Sequence, residues 1–416
     1  MVRAGKSATF HRPCLELISF GNIAVLNRPN RSGGGKIFPF AAIACAIATV
    51  SIVGVGLSLT ITLIAVRLGE QGYSARAIGF NTAAAGISTL LSAGFIPRLA
   101  RRMGVRPLLV AALLLCVACL AGMAATGDYW AWLALRAIFG IGLTVLFVLS
   151  EYWINAVAPP HRRGSILGFY AASVALGFAA GPLILTTLGT AGPSGFLVAI
   201  ALFAAAGVPI ILGSGAAPEL KAASSVSVLG FMLIAPVATL AGLLHGAIET
   251  ASMGLLPVYA LRSGLTAEMG AAFVTLFALG NVAFQFPVGF VADHMERGKL
   301  LMLIALISIL GALALGLSVA GGGVAFGALL LVWGGIVGSL YAVALGYLGS
   351  RYAGADLAGA NAAFVMLYSI GMLSGPPIMG LGMDAFGPRG FFFTIAVLLA
   401  LYVGVVAARL GRRPAR

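Results

Sequence analysis

Apolar residues in this chain come in long runs and not in alternation. From Phe38 onward, stretches of 18 or more residues almost free of charge recur, separated by short segments rich in Gly, Pro and Arg. Each run is long enough for a helix across a hydrocarbon core about 30 Å thick, and a helix satisfies its own backbone polar groups there. A membrane β-barrel needs short strands of alternating polarity, which these runs lack. Twelve spans are predicted, at 38–66, 77–98, 107–125, 130–153, 164–188, 194–213, 230–257, 269–291, 299–319, 323–347, 359–383 and 390–409.

Composition agrees with the pattern. The 416 residues are 61% hydrophobic and only 9% charged, with a mean hydropathy of +1.07. A soluble domain carries about 25% charged residues, so this chain cannot cover a water-facing surface. The net charge of +14 would suggest nucleic acid in a soluble protein. Here it marks cytoplasmic loops. With the N-terminus inside, the cytoplasmic tails and loops hold twenty Lys and Arg, and the outer loops hold only Arg67, Arg76, Arg262 and Arg389. Both termini are therefore expected in the cytoplasm of a bacterial-type cell, with the lipid bilayer as surroundings and no nucleic-acid partner. Trp130, Trp132 and Trp153 at the ends of span 4 are expected in the interfacial belts. Cys116 and Cys119 lie in an apolar helix and read as small core residues.

Residues 1–36 form a basic tail, expected to be cytoplasmic and disordered, or a misassigned start. Its apolar stretch LELISFGNIAVL is short and interrupted by Glu16, which argues against a signal peptide. A six-helix bundle follows over 37–213, a cytoplasmic linker over 214–228, a second six-helix bundle over 229–409 and a basic tail over 410–416. The bundles echo each other. GFAAGP at 177–182 is answered in the second bundle by GMLSGP at 371–376, with Gly177, Gly181 and Pro182 matching Gly371, Gly375 and Pro376. PRLARRMGVR after span 2 is answered by GFVADHMERGK after span 8. Two parallel repeats of this kind form a transporter architecture, with the substrate site between them near the midplane.

The loop after span 8, with Gly289, Asp293, Arg297 and Lys299, resembles the loop signature of the major facilitator superfamily, with one residue inserted. Its carboxylate and basic groups would latch neighbouring helix ends. In the first half Arg101 stands at the aspartate position and Pro97 at the first glycine. Arg136-Ala-Ile-Phe-Gly140-Ile-Gly142 is similar to the family's span-4 signature. Arg136 lies eight residues past Asp128, about 12 Å deep along the helix, and is expected to face the bundle interior. A snorkelling arginine packed for stability is the alternative. Gly168, Gly177 and Gly181-Pro182 resemble the family's antiporter motif up to its final glycines, where Leu185 and Thr186 stand; close helix packing alone is the other reading. LSEYWINAVAPPHRRGSILGFYAASVALG at 149–177 looks like the bacterial YcaD-like branch. The resemblance covers roughly 38–405. It implies an all-α integral membrane protein, twelve transmembrane helices in two pseudo-symmetric six-helix bundles. It also implies secondary transport, with proton-driven export ahead of uptake, and no cofactor.

The residues that carry chemistry are few. His245 and Glu249 lie one turn apart in span 7 and share a helix face, close to mid-membrane, where an ionisable group is costly and commonly functional. We expect them to exchange a proton as access alternates; an inert hydrogen-bonded pair is the alternative. Carried back by the spacing of the two Gly-Pro elements, His245 falls on Ser51, its uncharged counterpart in the first half. Asn281 and Gln285 are expected to line the same cavity, with Tyr341, Asn361 and Tyr368 as further candidates. Glu151 is expected to latch onto Arg101, Arg102 or Arg163 when the cytoplasmic gate is closed. The expected partners are a small-molecule substrate, amphipathic or cationic, and protons, with the protein a monomer. Uptake of a small anionic nutrient held by Arg136 and His245 stays open, as does a non-transporting receptor or scaffold. Met366, Met372, Met379 and Met383 in span 11 read as packing more readily than as a metal path. No nucleophile–base pair, metal-ligand spacing or phosphate loop points to an enzyme or a metal site.

Overall fold

The computed structural model describes residues 39–92, 95–157, 163–212, 236–318, 323–352 and 354–411. The predicted tail 1–36, the linker 214–228, most of 410–416 and the side chain of Arg163 lie outside the described residues. The first half comprises α1 (Pro39–Glu70), α2 (Ala75–Ser92), α3 (Ile96–Met103), α4 (Val105–Ala125), α5 (Tyr129–Val157), α6 (Arg163–Leu188), α7 (Ser194–Ala205) and α8 (Gly207–Leu212). The second half comprises α9 (Pro236–Arg262), α10 (Ala267–His294), α11 (Arg297–Leu317), α12 (Val324–Gly349), α13 (Gly354–Phe386) and α14 (Gly390–Gly411). Among the described residues, nine helices are long and apolar enough to cross a membrane by themselves. With α2, α6 and α9 they make the twelve transmembrane helices of two pseudo-symmetric bundles.

Two predicted spans differ in detail. Span 2 stops at Ser92, and the basic loop after it contains α3. That short helix is amphipathic: Ile96 and Ala100 are buried, while Arg98, Arg101 and Arg102 are exposed. Span 6 is split into α7 and α8 at Ala206, whose carbonyl accepts a hydrogen bond from Thr49 at 3.3 Å. Of the three tryptophans expected in interfacial belts, Trp130 alone is exposed. Trp132 is buried and donates to the carbonyls of Met123 and Thr126 at 3.0 and 2.9 Å, tying α5 to the end of α4. Trp153 is buried as well. Protein encloses both rings, so neither offers a face to surrounding lipid or water.

In the first half α6 packs on α1 and α5 on α2; in the second, α13 packs on α9 and α12 on α10. Glycines make these seams possible. A Cβ on Gly177 would press on the Ser51 carbonyl and the Val55 nitrogen, and one on Gly371 on the Leu243 carbonyl and the Ala247 nitrogen. A Cβ on Gly140 would meet the Ala85 carbonyl, and one on Gly334 that of Phe277. Gly177 of α6 and Gly140 of α5 thus answer to Gly371 and Gly334, while Ser51 of α1 and Ala85 of α2 answer to Leu243 and Phe277. The repeat spacing is two residues shorter for α1 and α2 than for α5 and α6. The turn glycines keep the shorter spacing: Gly72 (φ 80°) and Gly264 (φ 78°) close the α1–α2 and α9–α10 connections. The structural counterpart of Ser51 is therefore Leu243, and His245 and Glu249 correspond to Val53 and Leu57. A single offset read from one motif misses this difference.

The halves meet where α2 packs on α13, α6 on α10 and α1 on α9. These contacts close one rim of the molecule. There Asp384, near the end of α13, accepts hydrogen bonds from the backbone nitrogens of Ala75 and Arg76, both at 2.9 Å, so a residue of the second half caps α2 of the first. The same carboxylate pairs with Arg262 at 2.9 Å. Gly79 sits against the Pro376 carbonyl and Gly380 against that of Ala75. α9 runs through the middle: no residue from Pro236 to Leu261 is exposed. That enclosure explains how it tolerates a polar pair.

Two outcomes follow from these seams. Gly375→Val, pressing on the Ala247 backbone, should lower the unfolding temperature in detergent, because overpacking costs about 1–3 kcal/mol. Gly289→Ala, with nothing within 4 Å of the new methyl, should not. Asp384→Ala should favour opening of the closed rim by about 0.5–2 kcal/mol, the usual worth of a lost cap. Spin-label distances between α2 and α13 at that rim should then broaden toward longer values.

Candidate functional site

A cavity of about 510 Å³ lies between the halves. Its walls are mainly apolar, with Leu57, Phe147, Phe178 and Phe277 among them. Arg136 and Glu151 of α5, His245 and Glu249 of α9, Asn281 and Gln285 of α10, Tyr341 of α12 and Tyr368 of α13 all line it. Glu151 and Gln285 are exposed, so the cavity is reached from the rim opposite the Asp384 cap. Asn361 is not among the lining residues.

The pair on α9 is held by three elements. His245 Nε2 lies 3.5 Å from Glu249 Oε2, and the same oxygen accepts a hydrogen bond from Tyr368 Oη at 2.7 Å. Tyr368 can come this close because α9 carries Gly246, where any side chain would run into the Tyr368 backbone. The His245 ring stacks on Tyr368 with centroids 5.9 Å apart and tilts against Tyr341 at 5.2 Å. His245 is buried, while the Glu249 side chain keeps 24% of its surface open to the cavity. The carboxylate therefore has one oxygen engaged with tyrosine and histidine and remains within reach of a third partner.

Arg136 is placed differently. It is 2% exposed, and its Nε has no hydrogen-bond partner among the described residues. No described carboxylate lies within ion-pair distance of it. Its helix is fixed by close contact of Gly140 with α2 and by Thr144, which donates to Thr89 at 2.9 Å. Glu151, further along the same helix, accepts a hydrogen bond from Tyr170 at 3.0 Å.

Asn281 packs against Gly338, where a Cβ would lie 2.6 Å from the amide carbon. Gln285 joins the main cavity to a smaller one of about 230 Å³ that also holds Gly289, Asp293 and Arg297. Arg297 donates to the Gly346 carbonyl at 2.7 Å, tying the α10–α11 turn to the C-terminal end of α12, where a cation complements the helix dipole. Arg101 and Arg102 lie on exposed α3. Gly177, Gly181 and Pro182, like Gly375 and Pro376, belong to the helix seams. Met379 and Met383 are wholly buried, and of the four methionines only Met372 lines the main cavity.

Sequence reasoning missed Tyr170, Asp384 and Arg262. Tyr170 had a legible signal: with Val174 and Phe178 it forms a stripe at helical spacing, and all three line the cavity. The Asp384 cap joins segments from opposite ends of the chain, a pairing that no local pattern announces.

The comparisons with known proteins agree with this architecture. The chain is 28% identical over 360 residues to the MFS-type transporter YfkF of Bacillus subtilis, covering 85% of this chain and 92% of that protein. It is 23% identical to the MFS-type transporter YcaD of Salmonella dublin over 85% of this chain and 92% of the relative. Among solved structures, the nucleoside transporter NupG superposes with a TM-score of 0.73 at 12% identity, over 91% of this chain and all of that one. A D-xylose-proton symporter gives 0.70 at 16% identity, over 88% and 97%; these likenesses show the fold. The family model described as Major Facilitator Superfamily matches residues 40–334 and again 238–416, so the chain belongs to the major facilitator superfamily of transporters.

Proposed function

We propose that this protein exports small amphipathic molecules across a bacterial cytoplasmic membrane in exchange for protons. The observation that carries the reading is Glu249: a carboxylate on the most enclosed helix, hydrogen-bonded by Tyr368, 3.5 Å from His245 and open to the central cavity. Around it stand Arg136, Glu151, Tyr170, Tyr341 and Tyr368, the charged and titratable side chains on the other walls. A proton and a cationic group of a substrate compete for the same oxygens, so each promotes release of the other; such coupling is reciprocal by linkage. Exchange follows if the halves rock about the α2–α13 and α6–α10 seams and expose Glu249 to each side in turn.

Direction is supported by two features. The excess of Lys and Arg in the tails and in the loops on their side supports a cytoplasmic location of both termini; with that orientation the Asp384 rim is the outer one and the cavity opens inward, the state that loads an exported substrate. The Gly177–Gly181–Pro182 pattern, seated on α1, resembles the motif of proton-driven exporters. In the opposite state Glu151 would move from Tyr170 toward Arg101 or Arg102 and latch the cytoplasmic side.

Glu249→Gln keeps the shape and removes the titrating group. It should leave the unfolding temperature within a few degrees and reduce substrate-driven proton flux in vesicles to background, assayed with any compound that stabilises the purified protein. Undiminished flux rejects the proposal. For the latch, Glu151→Arg and Arg101→Glu should each lower transport and together restore it; absence of rescue removes that part.

A further inference from the structure

We infer that the transported molecule is a zwitterion, with its anionic group held by Arg136 in the first half and its cationic group by Glu249 in the second. The inference rests on reading the central cavity as the transport site and goes beyond it by assigning a charge pattern to the substrate.

The argument begins with what Arg136 lacks. A guanidinium taken out of water is costly unless paired, and Arg136 is 2% exposed with its Nε unpartnered and no described carboxylate in reach. The fold does not need a cation there. The Gly140–Ala85 contact is repeated by Gly334 and Phe277, which makes Leu330 the counterpart of Arg136, and Leu330 is fully buried. An apolar side chain fills the same place in the same packing. The converse holds on the other half, where Val53 and Leu57 stand opposite His245 and Glu249 in the repeat. Arg136 on α5 and Glu249 on α9 are thus opposite charges that their repeat twins do without, and both line one cavity; Glu151, the other carboxylate of α5 on that cavity, is engaged by Tyr170.

The two poles do not neutralise each other: among the described residues no ion pair joins Arg136 to Glu249. A ligand with opposite charges at its two ends satisfies both. An arginine fork matches a carboxylate or phosphate with two parallel hydrogen bonds, and the free surface of Glu249 accepts an ammonium group. The apolar walls between them, including Phe147, Phe178 and Phe277, fit a hydrocarbon or aromatic body, and about 510 Å³ is room for a drug-sized molecule. A bridging ligand also gives the rocking motion its logic, because it touches both halves at once.

The test uses purified full-length protein in detergent at neutral pH and four panels of compounds matched in size: zwitterions, anions, cations and neutral molecules. 3-[4-(Aminomethyl)phenyl]propionate, 3-(4-methylphenyl)propionate, 3-(4-methylphenyl)propylamine and 3-(4-methylphenyl)propanol represent them, the first with its charges at opposite ends of an aromatic body. Thermal stabilisation should concentrate in the zwitterion panel. Arg136→Gln and Glu249→Gln should each weaken the best zwitterion at least about tenfold, the scale of one lost charge-assisted contact. Stabilisation confined to cations or neutral compounds, no stabilisation by any zwitterion, or unchanged affinity in Arg136→Gln overturns the inference. A ligand-free measurement adds an independent readout: Arg136→Met should raise the unfolding temperature of the empty protein, because it removes an unpaired buried charge. A fall instead means that the protein itself satisfies Arg136, and the inference fails. These binding measurements need no proton flux. A protein that binds zwitterions but moves no protons through Glu249 rejects the coupling proposal alone.

Discussion

Helices in a bilayer gain nothing by hiding from lipid, because lipid tails are as apolar as their own side chains. What holds them is surface fit, and here the fit is made by backbone meeting backbone. Gly177 and Gly181 let α6 sit on α1, Gly371 and Gly375 let α13 sit on α9, and Gly140 and Gly334 do the same for α5 on α2 and α12 on α10. These approaches fix where the helix axes run, and the space left between them is the cavity. The distance from Tyr368 to Glu249 depends on the same fit, since the Tyr368 backbone lies on Gly246.

The packing is two-fold and the chemistry is not. Both halves repeat the same glycine contacts and the same turns at Gly72 and Gly264. Yet α5 bears Arg136 and Glu151, where α12 has Leu330 and Leu345, and α9 bears His245 and Glu249, where α1 has Val53 and Leu57. Repeated packing allows the halves to move against each other as like bodies. Unlike charge makes the two walls of the cavity read different parts of a ligand. A fold of this kind can change its cargo by replacing a few cavity residues and leaving the seams intact.

Much of this was legible in the chain. Unbroken apolar runs announced the twelve spans because hydrocarbon demands length and hydrophobicity together. The Gly-Pro echo announced the repeat, and the four-residue spacing of His245 and Glu249 announced a shared face. What stayed hidden depends on contacts between distant segments. The shorter repeat spacing of α1 and α2, relative to α5 and α6, becomes visible only when one sees which backbone each glycine touches. The burial of Trp132 and Trp153 depends on neighbours that composition does not name. Asp384 looks like an ordinary residue at a helix end until α2 is found beneath it. Tyr170 lay in plain view at helical spacing, but a phenol among apolar residues is usually packing, and its tie to Glu151 required the position of α5.

The enclosure of α9 reaches outside the molecule. Because no residue from Pro236 to Leu261 is exposed, the helix that bears the titratable pair is surrounded by protein and by the central cavity. Changes in bilayer thickness, acyl saturation or headgroup reach it only through the helices that surround it. Those outer helices display leucines such as Leu310, Leu317 and Leu401, and they can tilt to follow the membrane. The fold thus separates adaptation to its host membrane from cargo handling, so that each can drift in evolution at its own pace.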